Sequence, residues 1–144
     1  MASVEFYAGP RTGPIRGQEG ATQTYDAGDL VKLDTNGYVV VATAGAINGI
    51  ACKDATGTTG AVAEWEPICF DAIYSAKYKA SATARALIGD CLDFTFTIGG
   101  HTLDESGATT DVWCVELDPR DAVGTSGGRL LVRFYATMNT APAT

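Results

Sequence analysis

Alternation dominates the hydrophobic pattern. Across Cys91–Ile98, Leu92, Phe94, Phe96 and Ile98 take every second position, with Asp93, Thr95 and Thr97 between them. A period of two turns one set toward a core and the other toward solvent, so this run predicts a half-buried β-strand. Arg129–Tyr135 alternates too, setting Leu130, Val132 and Phe134 against Arg129, Leu131, Arg133 and Tyr135. Leu30-Val31-Lys32-Leu33 and Tyr38-Val39-Val40-Val41 flank Asp34-Thr35-Asn36-Gly37, and Asn-Gly supplies the positive φ angles of a tight hairpin. Further strand-like runs lie at Asn48–Lys53, Ala61–Trp65, Ile68–Tyr74 and Val112–Leu117. The Ala-rich stretch Ser75–Leu87, with Tyr74, Tyr78 and Ala82 at spacing four, predicts one short helix. Many short strands and at most one short helix predict a mainly β fold, a small barrel or sandwich.

Residues 1–24 break this pattern. Gly9, Pro10, Gly13, Pro14, Gly17 and Gly20 interrupt helix and sheet alike, and the one apolar run is Val4–Ala8. The expectation is an extended N-terminal arm over 1–24, followed by a single β-rich domain over 25–144. An internal echo runs through that domain. Ala27–Leu33 aligns with Ile88–Phe94 at an offset of 61, and Ile50–Asp54 with Val112–Glu116 at an offset of 62. Gly-Asp before a strand is a turn device in both copies, which points to two related hairpin units.

Composition narrows the function. The formal net charge is -7, with four Lys and six Arg, which disfavours nucleic acid and anionic membranes. The chain start, Met1-Ala2-Ser3-Val4-Glu5-Phe6, has no signal-peptide pattern, and no run reaches the roughly 18 apolar residues of a membrane span. Cys52, Cys69, Cys91 and Cys114 are 17, 22 and 23 positions apart and form no CxxC, so neither zinc nor a redox motif is indicated. Each sits in an apolar run and is expected to be buried and reduced. His101, the one histidine, follows Gly99-Gly100 and reads as a hairpin tip; a Ser–His–Asp hydrolase would have to use it. GxSxG, HExxH and the phosphate-loop motif are absent, and Thr56–Gly60 lacks the Lys that a phosphate loop requires. Lys32 and the missing closing Glu rule out an EF-hand around Asp34–Gly37. Asp104, Glu105 and Asp111, like Glu116, Asp118 and Asp121, read as solvated acidic faces. No catalytic residue, metal or cofactor is expected.

Ala27–Asp34, then Asn36–Val39, then Gly49-Ile50-Ala51 resemble the head decoration (cement) proteins of tailed phages, including the lambda-like group with its β-tulip domain. Gly89-Asp90 and the closing run Gly128–Tyr135 are similar as well, so the resemblance spans roughly Tyr25–Tyr135. The Gly/Pro-rich arm and the Gly99–Thr110 insertion depart from it. The resemblance implies a non-enzymatic protein, made in the host bacterial cytoplasm, that sits on the outer capsid surface of the virion as a homotrimer and clamps subunits of the phage major capsid protein. The arm would then add a strand or apolar anchors through Val4, Phe6 and Tyr7, with Arg11 and Arg16 meeting acidic capsid groups. The alternative is a β-sandwich carbohydrate-binding or adhesive module, which would need Trp65, Trp113, Tyr74 or Tyr78 exposed as a platform.

Overall fold

A computed structural model describes residues 3–105 and 110–135; residues 106–109 of the Gly99–Thr110 insertion and 136–144 of the expected domain lie outside that description. Among the described residues there are eleven strands: β1 Val4–Ala8, β2 Ile15–Gln18, β3 Leu30–Leu33, β4 Val39–Val41, β5 Gly49–Ala51, β6 Val62–Pro67, β7 Ile73–Lys77, β8 Cys91–Thr95, β9 Thr102–Asp104, β10 Val112–Leu117 and β11 Arg129–Phe134. They form two antiparallel sheets, six-stranded in the order β1-β7-β11-β10-β8-β9 and five-stranded in the order β2-β6-β5-β3-β4, neither closed into a barrel. The mainly β expectation holds at that level.

The N-terminal residues do not form a separate arm. β1 pairs along β7, with Val4 opposite Ala76 and Phe6 opposite Tyr74, and β2 pairs along β6. The Gly/Pro cluster at 9–14 is the link between these two strands, one in each sheet. Local turn chemistry marks where the chain bends, not whether the flanking segments find partners.

The helix expected over Ser75–Leu87 is also replaced. Residues 73–77 are strand, and only Arg85–Leu87 turns, as a single 3-10 turn. Tyr74 and Ala76 are buried facing the core, and the backbone of the run is taken up by β1 and β11 on either side. Helix propensity of alanine is a fraction of a kcal/mol per residue and yields to two strand partners. The strand expected at Ile68–Tyr74 begins only at Ile73.

With β1 set aside, the two sheets repeat one topology. β2-β6-β5-β3-β4 and β7-β11-β10-β8-β9 place successive strands in the same order. Registers agree residue by residue. Ile15 pairs Trp65 where Tyr74 pairs Val132, Ala51 pairs Trp65 where Cys114 pairs Val132, and Gly49 pairs Val31 where Val112 pairs Leu92. Gly28 and Gly89 take φ of 93° and 89°. Their N–H groups donate to the carbonyls of Ala51 and Cys114, both at 2.8 Å, and Asp29 and Asp90 in turn accept from Ala51 and Cys114. The ends of each sheet approach at one parallel bridge, Glu19–Val39 in one and Tyr78–Leu103 in the other. The echo at Gly28-Asp29 thus falls at the offset of 61. The second is corrected by one residue: Ile50 matches Trp113 and Ala51 matches Cys114, an offset of 63. A slip of one exchanges the two faces of a strand, so Cys52 is exposed while Cys114 is buried.

Two cores result. Tyr25, Val31, Val39, Ala51, Ala63 and Trp65 fill the inside of the five-stranded sheet. The larger core joins Leu92, Leu103, Cys114, Leu130 and Val132 to Leu30, Ala42, Ile47 and Ile68 from the first unit. The first unit therefore stacks its outer side on the interior of the second. A size exchange keeps the first core compact: Trp65 stands where the second unit has Val132, and Gly49 where it has Val112. A Cβ at Gly49 would collide with the Glu66 carbonyl and the Trp65 ring.

Candidate binding surface

The five residues expected to contact a partner are dispersed. Val4 is 1% exposed and its N–H donates to Gly28 O at 3.0 Å. Phe6 stands edge-on to Tyr74 at 6.1 Å and lies under the Arg11 guanidinium at 4.4 Å. The half-exposed Arg11 side chain donates to both carboxylate oxygens of Glu66 at 2.9 and 2.6 Å. That fork holds the Glu66 carboxyl below its ordinary range against the opposing effect of burial. Val4, Phe6 and Arg11 thus each make contacts within the fold, with Val4 buried, Phe6 partly buried and Arg11 exposed. Tyr7 remains exposed on the outer face of the six-stranded sheet, and Arg16 on the edge strand β2.

Tyr7 borders a groove of about 390 Å3 with Leu117, Pro119, Val123 and Leu131, rimmed by Arg85, Glu116, Asp118 and Asp121. β10 carries a bulge between Cys114 and Glu116, and in the Asp118-Pro119-Arg120 turn that follows it the Arg120 N–H donates to Asp118 Oδ1 at 3.0 Å. The turn is fixed by charge. Arg120 contacts Asp118 at 2.6 Å and Glu5 at 2.8 Å, and Ser75 donates to Asp118 at 2.7 Å while accepting from Arg129 at 2.9 Å. Hydrogen bonding to Arg120, more than the opposing burial, drives the Asp118 carboxyl far below the ordinary carboxylate range. The Arg120 guanidinium also lies 5.6 Å from the Tyr7 ring. Asp118 was expected on a solvated face yet is 1% exposed. The Asp-Pro dipeptide, a turn initiator whose side chain takes up local N–H groups, was the available signal.

Comparison with protein-family models, curated proteins and solved structures finds no match.

Gly99-Gly100-His101 lies in the connection of the β8–β9 hairpin, as expected, but His101 turns inward instead of to solvent. It is fully buried, its Nδ1 accepting the Leu30 N–H at 3.3 Å, while Nε2, 3.8 Å from Asp29 Oδ1, has no hydrogen-bond partner among the described residues. Ser3 Oγ donates to Asp29 at 2.8 Å and accepts the His101 backbone N–H at 3.0 Å. Serine, histidine and aspartate therefore meet, but the hydroxyl is engaged by the carboxylate and a backbone amide, and the imidazole is oriented by Leu30. This arrangement fastens the start of β1 to the Gly28-Asp29 turn and the Gly99–His101 loop; it does not activate a nucleophile.

Of the residues any of which could serve as a sugar platform, Trp65, Tyr74 and Tyr78 are 7%, 1% and 5% exposed, and Trp113 is half-buried. The four cysteines are free, but only Cys114 is buried; Cys52 and Cys91 are exposed, so the expected burial fails for them. Burial pushes the Cys114 thiol up to about 11. Among the described residues no helix is long and apolar enough to cross a membrane, and no cluster of three metal-ligating side chains occurs.

Proposed function

We propose that this chain is a capsid decoration protein of the β-tulip kind, a homotrimeric module that docks on the outside of a mature phage head and reinforces it. The groove formed by Tyr7, Leu117, Pro119, Val123 and Leu131 carries this reading. It presents apolar surface on the six-stranded sheet, and two of its rim charges, Arg85 and Glu116, approach each other at 3.5 Å, as in the apolar centre and polar rim of a protein-docking patch. The run resembling decoration proteins, Ala27–Ala51, supplies the turn and strand devices of the first unit, and the second unit repeats them. Many copies on one shell stabilise it by mass action without any single tight contact.

Cosedimentation with expanded phage heads that lack their decoration protein tests the reading. The full chain should pellet with the heads and raise the temperature at which they release DNA. Val123→Asp, at a 60% exposed position, should remain folded and lose most of the binding. Failure of the full chain to bind any expanded head would refute the function. Undiminished binding by Val123→Asp would refute the assignment of the face.

A further inference from the structure

The duplication leaves one place filled in one sheet and, among the described residues, open in the other. β1 lies along the outer edge of β7, just before the point where Tyr78 bridges to Leu103. Shared register makes Ile15, Arg16 and Gly17 of β2 the counterparts of Tyr74, Ser75 and Ala76 of β7, since they pair Trp65, Glu64 and Ala63 where the latter pair Val132, Leu131 and Leu130. Among the described residues β2 pairs only with β6, and Ile15, Arg16 and Gln18 are exposed. The matching bridge, Glu19–Val39, likewise follows immediately.

The open edge has directional chemistry. Glu19 donates its N–H to Ala61 and accepts that of Gly60, so it faces β6, whereas the Gly20 N–H goes the other way, to Val39. Backbone groups alternate sides along a strand, so the N–H and C=O of Arg16 and Gln18 point outward, away from β6. Ser75, the counterpart of Arg16, meets Glu5 there, between Val4 and Phe6. Ile15 (42% exposed) and Val62 (49%) offer apolar surface on the two sides of this edge. Arg16 has no ion-pair partner among the described residues.

We propose that the outer edge of β2 is a strand-acceptor site, filled by an extended segment of a partner protein that pairs antiparallel with Ile15–Gln18 and sets an acidic residue, flanked by apolar ones, opposite Arg16. Main-chain hydrogen bonds to Arg16 and Gln18 supply the attachment and the charge selects the segment. Two observations favour a different protein over a second copy. Each copy carries a net charge of -7, and the chain's own apolar–acidic–apolar segment, Val4-Glu5-Phe6, is already seated on β7. Arg16 and the preceding Pro14 are also the kinds of residue that keep an edge from pairing with its own copies. The site lies on the opposite sheet from the groove and stands or falls independently of the capsid reading.

The test titrates isotope-labelled full-length protein with a synthetic peptide of sequence Ser-Val-Glu-Phe-Tyr-Ala, capped at both ends, and follows backbone amides by NMR. The Arg16 and Gln18 amides should shift and exchange with solvent roughly tenfold more slowly in the complex. Arg16→Pro removes an N–H that faces away from β6, so it should keep the native melt and abolish the response. Arg16→Glu leaves the backbone intact and should transfer preference to a peptide with lysine in place of the glutamate, which keeps the proposal testable if the proline variant does not fold. Unmoved Arg16 and Gln18 amides at millimolar peptide would overturn it. So would shifts confined to β7 as the peptide displaces β1, or unchanged peptide preference in Arg16→Glu. Protection of these amides in the protein alone that vanishes on dilution would identify a second copy as the occupant and overturn the choice of partner.

Discussion

Replacing Glu19 by alanine should be among the costliest single changes in the first unit. The residue has no exposed surface, and its carboxylate accepts the Thr56 N–H at 2.8 Å, the Thr56 hydroxyl at 2.8 Å and the Gly57 N–H at 3.0 Å. Burial pushes its pKa up, but the hydrogen bonds from Thr56 and Gly57 push it down and prevail, so the carboxyl titrates below its ordinary 4.5. A hydrogen bond to a charged group contributes about 1.5–3 kcal/mol, which sets an upper bound of about 9 kcal/mol for three. Two effects reduce it. Thr56 and Gly57 are exposed, so their donors regain water once the loop loosens, and removing the carboxylate removes its own desolvation cost. A net loss of about 2–4 kcal/mol remains, or roughly 5–15 °C in Tm for a chain of this size. Urea and thermal unfolding at pH 7, followed by far-UV circular dichroism, measure it. Because the folded pKa is depressed, the stabilisation is complete above pH 4.5 and falls away as pH drops through the folded value. The gap between wild type and Glu19→Ala should therefore narrow in acid. A loss below about 1 kcal/mol at pH 7, or a gap indifferent to acid, would refute the accounting.

Burial holds the His101 pKa below 6.5, with Asp29 opposing, so the unfolded chain binds the proton more readily. Stability should decline as pH falls below 6.5, by at most about 1.4 kcal/mol per pH unit, and His101→Gln should flatten that part of the profile in equilibrium unfolding. Alkylation of the native protein should modify Cys52 and Cys91 first and leave Cys114 untouched until unfolding, as read by intact mass and peptide mapping. Deleting residues 2–8 removes β1 and the buried Val4, which alone contributes about 1.5–3 kcal/mol; the truncated chain should melt well below the full chain, and an unchanged melt would show that β1 is a dispensable arm.

Local chemistry wrote part of this fold into the chain. Asp34–Gly37 forms its hairpin because Asn36-Gly37 carries the turn by itself, with Gly37 at a φ of 83° and Asp34 accepting the Asn36 and Tyr38 N–H groups. Alternation placed Leu92 and Phe94 in the core for the same reason: period two is a property of each strand alone. Gly28-Asp29 and Gly89-Asp90 made the repeat visible, since each occupies the same kind of turn and donates to an equivalent carbonyl, of Ala51 in one unit and Cys114 in the other. What remained undetermined was every feature that depends on a distant partner. Val4–Ala8 and Ile15–Gln18 are strands because β7 and β6, some 50 to 70 positions away, present unpaired edges. Ser75 and Ala76 left the helical pattern because β1 and β11 enclose them. His101 and Asp118 look like solvent-facing polar residues until Ser3, Asp29 and Leu30 close over one and Ser75 and Arg120 over the other. A side chain's burial and ionisation follow from which segments meet, and loop closure between them depends on free energies summed over the whole sheet. No window of neighbouring residues contains that sum.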